Sequence, residues 1–156
     1  MRYFLERDDK TRTQFISVRG TTNSVNFSED LHIAVREDRK IAIPVHAGFD
    51  RAARAIYADV NPYLKPGYKT YLTGHSLGGA VAALLSVYLI EDGVDVVRVL
   101  TFGQPRFTTA DGVRRLGFLP LARSSMRTIS FLWCPLGPCW IRYSDPMSKS
   151  APRSSC

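Results

Sequence analysis

At 156 residues the chain has the length of a single domain. Its 45% hydrophobic content is that of an ordinary globular protein, which excludes disordered, collagen-like and coiled-coil classes. The net charge of +7 is scattered, without a basic stripe or interleaved aromatics, so it reads as a solvated surface and not as a nucleic-acid-binding face.

The N-terminal MRYFLERDDK is charged within a few residues and has no apolar core, so it does not read as a signal peptide. The chain as written reads as cytoplasmic, with the location itself left open. Gln14 to Arg19 reads as a short buried strand ending at Gly20. Thr21 to Leu31 is polar and turn-rich, with helix potential near its end. Ile41 to Val45 reads as another strand. Gly48 to Val60 has helical spacing, with Phe49, Ala52, Ala53, Ile56 and Tyr57 on one side, and Asn61, Pro62, Pro66 and Gly67 break it. Lys69 to Thr73 is a strand, Ser76 to Ile90 a helix rich in Ala and Leu stopped by Gly93, and Val94 to Phe102 a β-branched strand. The longest apolar run, Ala80 to Ile90, falls short of the roughly 18 residues that cross a membrane. Strands alternating with helices predict parallel βαβ units and an α/β sandwich.

Between the third of these strands and its helix stands Gly74-His75-Ser76-Leu77-Gly78-Gly79, a G-x-S-x-G pattern. A nucleophilic serine on a sharp strand-to-helix turn needs small neighbours, and Gly74 and Gly78 leave that room. The turn lifts the Ser76 hydroxyl above the sheet and aims the Leu77 N–H at the position of a developing oxyanion. The pattern alone is weak, since a glycine-rich turn with a plain N-cap serine would read the same. The strand before it and the helix after it strengthen the case.

YLTGHSLGGAVAALL (Tyr71 to Leu85) resembles the nucleophile elbow of the fungal-type (class 3) lipases. Three further blocks resemble that family in the same order. They are FISVRGT (Phe15 to Thr21), VHAGF (Val45 to Phe49) and TFGQPR (Thr101 to Arg106). The resemblance implies an α/β-hydrolase-type sandwich, a mostly parallel central sheet flanked by helices, here truncated. It implies Ser76 as nucleophile, the backbone N–H groups of Thr21 and Leu77 as oxyanion hole, and Gly74, His75 and Gly78 as the elbow. Asn23 to Leu31 resembles the family's lid, with Phe27 where an aromatic plug sits. His75 and His46 resemble fixed structural positions and His32 matches nothing, so none is assigned as general base.

A serine hydrolase also needs a base and an orienting acid. In the family an Asp follows the next strand in a motif like N-D-I-V-P, and a His comes much later. Here LGFLPLAR (Leu116 to Arg123) still resembles the family, whereas SSMRTISFLWCP does not. The composition breaks at the same place. All three cysteines and both tryptophans lie beyond residue 123, and Ser124 to Cys156 carries eight serines, four Lys or Arg and one acid, Asp145. Cys134 and Cys139, a lone C-x4-C pair without a nearby His, do not make the usual set of four zinc ligands. Shifting the frame by one base at Ser124 lets the segment read V-V-D-E-N-D-L-V-P-L-V-P, the family's acid motif, with its aspartate where Ile129 stands. Pro146 to Cys156 can likewise hide S-Y-E-Q-V-G-P-E-V-V-L, similar to a later family strand. The wobble bases are chosen, but the second base of each hidden codon is set by the visible residue.

The expectation is therefore a partial lipase domain over 1–123 and an out-of-frame tail over 124–156, with the triad Asp and His both missing. The tail would not pack on the sheet, an edge would be exposed, and hydrolysis by the chain as written would be slight. The intact function expected is hydrolysis of carboxylic esters, of the triacylglycerol kind, through an acyl-enzyme on Ser76. No metal or cofactor is expected. The expected partners are a lipid ester and transient contact with a lipid surface, without nucleic acid or a transmembrane segment. The rivals are a non-catalytic lipase-like domain that binds lipid or protein, and a phospholipase or other acyl hydrolase on the same core.

Overall fold

The computed structural model describes residues 1–20, 35–37 and 43–124. Thr21, the lid stretch with Phe27, His32, both members of the C-x4-C pair and the tail beyond Ser124 lie outside the described residues.

Five strands form one sheet: β1 (Arg2–Asp8), β2 (Thr13–Arg19), β5 (Lys69–His75), β6 (Val96–Phe102) and β7 (Leu121–Ser124), in the order β1-β2-β5-β6-β7. β1 pairs antiparallel with β2, and the other pairings are parallel. Two short strands, β3 (Val35–Glu37) and β4 (Pro44–His46), pair apart from it.

The side-chain alternation of β2, β5 and β6 sorts their residues onto two faces. Gln14, Ile16 and Val18 of β2, Thr70 and Leu72 of β5, and Val99 and Thr101 of β6 are buried on one face. Onto that face packs α2 (Leu77–Glu91), which touches all three strands. Every residue of α2 from Leu77 to Leu89 is buried. A helix that is apolar all round must be enclosed, and α1 (Ala47–Val60) supplies the other wall through Phe49, Ala53, Ile56 and Val60. Leu84, Leu85 and Leu89 are fully enclosed there, each contributing about 1.5–3 kcal/mol by removal from water.

Polar ties fix how α1 lies on this layer. The Tyr88 hydroxyl donates to Asp50 Oδ1 at 2.5 Å, Arg54 pairs with the same oxygen at 2.7 Å, and Tyr57 donates to Asp92. At the other end of α1, the Tyr3 hydroxyl of β1 donates to Asp59 Oδ2 at 2.8 Å.

The predicted helix over Gly48 to Val60 begins one residue earlier, at Ala47, because His46 caps it by accepting the Gly48 N–H on Nδ1 at 3.2 Å. The strand expected over Ile41 to Val45 is observed as Pro44–His46, with 41 and 42 outside the described residues. β1, β7 and the short α3 (Ala110–Arg115) add to the predicted set. The sheet is mostly parallel and flanked by helices, as expected. Among the described residues both long helices lie on the same face.

Candidate active site

The elbow is built by backbone crowding. Ser76 sits between β5 and α2 at φ 53° and ψ −127°, a conformation that a residue with a Cβ adopts only under strain. Its N–H donates to Phe102 O at 2.8 Å, tying the turn to the end of β6, and its carbonyl accepts from Gly79 N at 2.9 Å. A Cβ on Gly74 would stand 2.3 Å from Gly78 O, and one on Gly78 would stand 2.3 Å from Val18 O and 2.8 Å from Gly20 N. Both positions therefore exclude any side chain.

This contact brings the end of β2 against the start of α2. A Cβ built on Gly20 would lie 3.0 Å from His75 O, 3.5 Å from Gly78 N and 3.9 Å from Leu77 N. Leu77 is the first residue of its helix, so its N–H has no intrahelical acceptor. The helix dipole adds positive potential at the same point. Gly20 is followed by Thr21, the other predicted oxyanion donor, which lies outside the described residues.

Behind the elbow a second layer locks the loop after β6. Thr101 Oγ1 lies 2.6 Å from Gln104 Oε1, both residues being buried, and Arg123 Nη2 donates to Gln104 O at 2.6 Å. Gln104 Cβ and Thr101 Cβ would each be 3.3 Å from a Cβ on Gly79, so the TFGQPR block is the surface on which the elbow rests. In the sequence this block is marked by resemblance alone, without a task of its own.

In front of Ser76 opens a cleft of about 620 Å³, lined by Phe4, Ser17, Arg19, Thr73, His75 and Phe102 and by the backbone from Val18 to Gly20. Phe4 was not singled out in the sequence. The alternation of Tyr3 and Leu5, half-buried, with exposed Arg2, Phe4 and Glu6 is the signal that marks β1 and puts Phe4 on the cleft side. No Asp or Glu lines the cleft among the described residues. Of the histidines, His75 is exposed in the cleft wall, whereas buried His46 is engaged as helix cap and packs 4.8 Å from the Phe49 ring. Three or more His, Cys, Asp or Glu do not gather in metal-binding array among the described residues.

A strand, a strained serine turn and a buried helix, with a second strand end against the helix start, define an α/β-hydrolase-type protein. The Lipase (class 3) family model matches residues 15–117, and the chain belongs to that family. It is 30% identical over 138 residues to phospholipase A1 PLIP2, chloroplastic, of Arabidopsis thaliana, covering 81% of this chain and 19% of that protein. It is 31% identical over 110 residues to the secreted mono- and diacylglycerol lipase 1 of Fusarium solani, covering 66% of this chain and 33% of that one. Among solved structures, the lipase from Rhizopus microsporus var. chinensis superposes with a TM-score of 0.69 at 25% identity, over 79% of this chain and 47% of that chain. Lipase II from Rhizopus niveus gives 0.66 at 28% identity, over 79% and 51%. The chain thus spans between a fifth and a third of the length of these two curated relatives. No helix among the described residues is long and apolar enough to cross a membrane.

Proposed function

We propose that this chain carries the nucleophile-bearing core of a serine hydrolase that cleaves carboxylic esters of lipids through an acyl-enzyme on Ser76. The observation that carries the reading is the Ser76 turn, held at φ 53° with the end of β2 pressed against Leu77 N and Gly78 N. In the reaction Ser76 Oγ attacks the ester carbonyl carbon as its proton passes to a base. The carbonyl oxygen takes up negative charge between the N–H groups of Leu77 and Thr21. The carbon–oxygen bond to the alcohol breaks, the alcohol leaves with a proton, and water then releases the acid from Ser76. Each oxyanion donor is worth about 3 kcal/mol of transition-state stabilisation.

The base and its acid belong to the segment after β7. We propose that residues 124–156 are read out of frame and that the intact frame supplies an aspartate at the position of Ile129. That position follows β7 in the sequence, and β7 lies two strands from the elbow strand β5 in the sheet.

The test is to sequence the transcript across Leu116 to Cys156 and beyond, then to assay the protein it encodes on emulsified glycerol esters. One additional base restoring N-D-L-V-P, a downstream His, and a loss of about a millionfold in Ser76→Ala are the expected results. That no Asp or Glu lines the cleft among the described residues is the observation favouring the non-catalytic rival. If the frame stands as written and the protein binds lipid without hydrolysing it, that rival replaces this proposal.

A further inference from the structure

On the cleft side of the sheet two arginines face each other. In the β1–β2 ladder Arg2 is paired with Arg19, and the next pair on the same face is Phe4 with Ser17. Directly opposed residues have Cβ atoms about 5 Å apart, and like charges so placed repel. Both side chains are exposed, and neither has an ion pair or side-chain hydrogen bond among the described residues. Glu6 and Asp8 are the acids of β1 on that face, and Glu6 is the nearer to Arg2. It lies four residues from Arg2, roughly 14 Å along the strand, too far to neutralise the pair. Arg19 brings the pair to the reactive edge. Val18 is in register with Gly74, so Arg19 runs alongside His75, the residue before Ser76, and Arg19 and Ser76 line the same cleft.

Two exposed arginines directly opposed on the cleft side, one of them in the cleft wall with Ser76, are suited to a phosphate, whose oxygens accept paired N–H donors from the planar forks. We infer that Arg2 and Arg19 form a phosphate seat that holds the phosphodiester of a glycerophospholipid while an acyl ester of the same molecule reaches Ser76. This rests on the proposed lipid-ester reading for the substrate, but the seat is tested by binding alone. Phe4, next to Arg2 on that face and in the cleft wall, gives the seat an apolar neighbour for the acyl or glycerol part. The same chemistry would accept free phosphate, and the test separates the two.

Binding of water-soluble dibutyrylphosphatidylglycerol, of uncharged dibutyrylglycerol and of inorganic phosphate is measured by calorimetry on the full chain carrying Ser76→Ala, which prevents turnover. The expected order puts the phospholipid at least about tenfold tighter than either part, the worth of one charge-assisted hydrogen bond. Arg19→Gln and Arg2→Gln each bring the phospholipid down to the affinity of dibutyrylglycerol in the same variant. Arg98→Gln, which removes the same charge from β6, leaves the preference intact. Without anion, Arg2→Gln raises the melting temperature by relieving the repulsion, which also shows that the variant folds. Equal affinity for phospholipid and inorganic phosphate, equal affinity for phospholipid and dibutyrylglycerol, or an equal effect of Arg98→Gln would each overturn the inference. A failure of the hydrolysis proposal appears separately, as absent turnover with Ser76 present while this preference persists.

Discussion

Two kinds of constraint meet at single residues of the elbow. Ser76 holds a backbone conformation that glycine adopts freely, so its side chain is retained against a local cost of order 1–3 kcal/mol. Ser76→Gly is therefore expected to be about 1 kcal/mol more stable than Ser76→Ala in urea unfolding, with both variants inactive. Equal midpoints would mean the turn is unstrained. Gly78 has the opposite character, because its missing Cβ is where Val18 O and Gly20 N lie. Gly78→Ala must push β2 away from α2. The expected loss is about 1–3 kcal/mol in urea unfolding.

At the scale of elements, β1 is joined to α1 by a bond that titrates. Burial and then the hydrogen bond to Asp59 push the Tyr3 hydroxyl up to about 12. The folded chain thus holds this proton more tightly than the unfolded chain, where tyrosine titrates near 10. Its contribution is complete below pH 10 and is lost as the pH rises through 12. Chemical denaturation across that window should show stability falling in the native chain and falling less in Tyr3→Phe. The α1–α2 layer answers to packing instead. Leu85→Ala, at a fully enclosed position, is expected to cost about 2–5 kcal/mol. The strands and helices around the site are legible in the sequence where one strong pattern dominates, as in β2, β5 and β6, or where punctuation is sharp, as at Asn61-Pro62 after α1. β1 is hard to read because an edge strand with Arg2, Glu6 and Arg7 offers no continuous apolar run. β4 has only three residues. The apolar length of α2 marks burial but gives no direction, since every side of it is covered. G-x-S-x-G marks the elbow. The Thr101–Gln104 contact is local but has no signature of its own in the sequence, and the Phe4 wall follows only once β1 is recognised and paired with β2.

For the molecule as a whole, the sheet is asymmetric. One face is sealed by α2, whereas Phe4, Phe15, Leu100 and Phe102, all substantially exposed, stand on the other. Such a grouping drives association. This chain is expected to sediment as concentration-dependent oligomers and to bind an apolar dye, and Phe4→Ser with Phe15→Ser should weaken both. A monomer that ignores the dye would show that this face is covered in solution. The close approach of Gly78 to Val18 and Gly20 has a different reach. The spacing between the end of β2 and the start of α2 is set by main chain on main chain, at Gly78 against Val18 O and Gly20 N. Residues that shape the cleft, among them Phe4, Ser17, Arg19 and Phe102, can then be exchanged without retuning that spacing. The cleft lining can then change while the turn stays fixed, and the matches include both a protein named for phospholipids and one named for mono- and diacylglycerols.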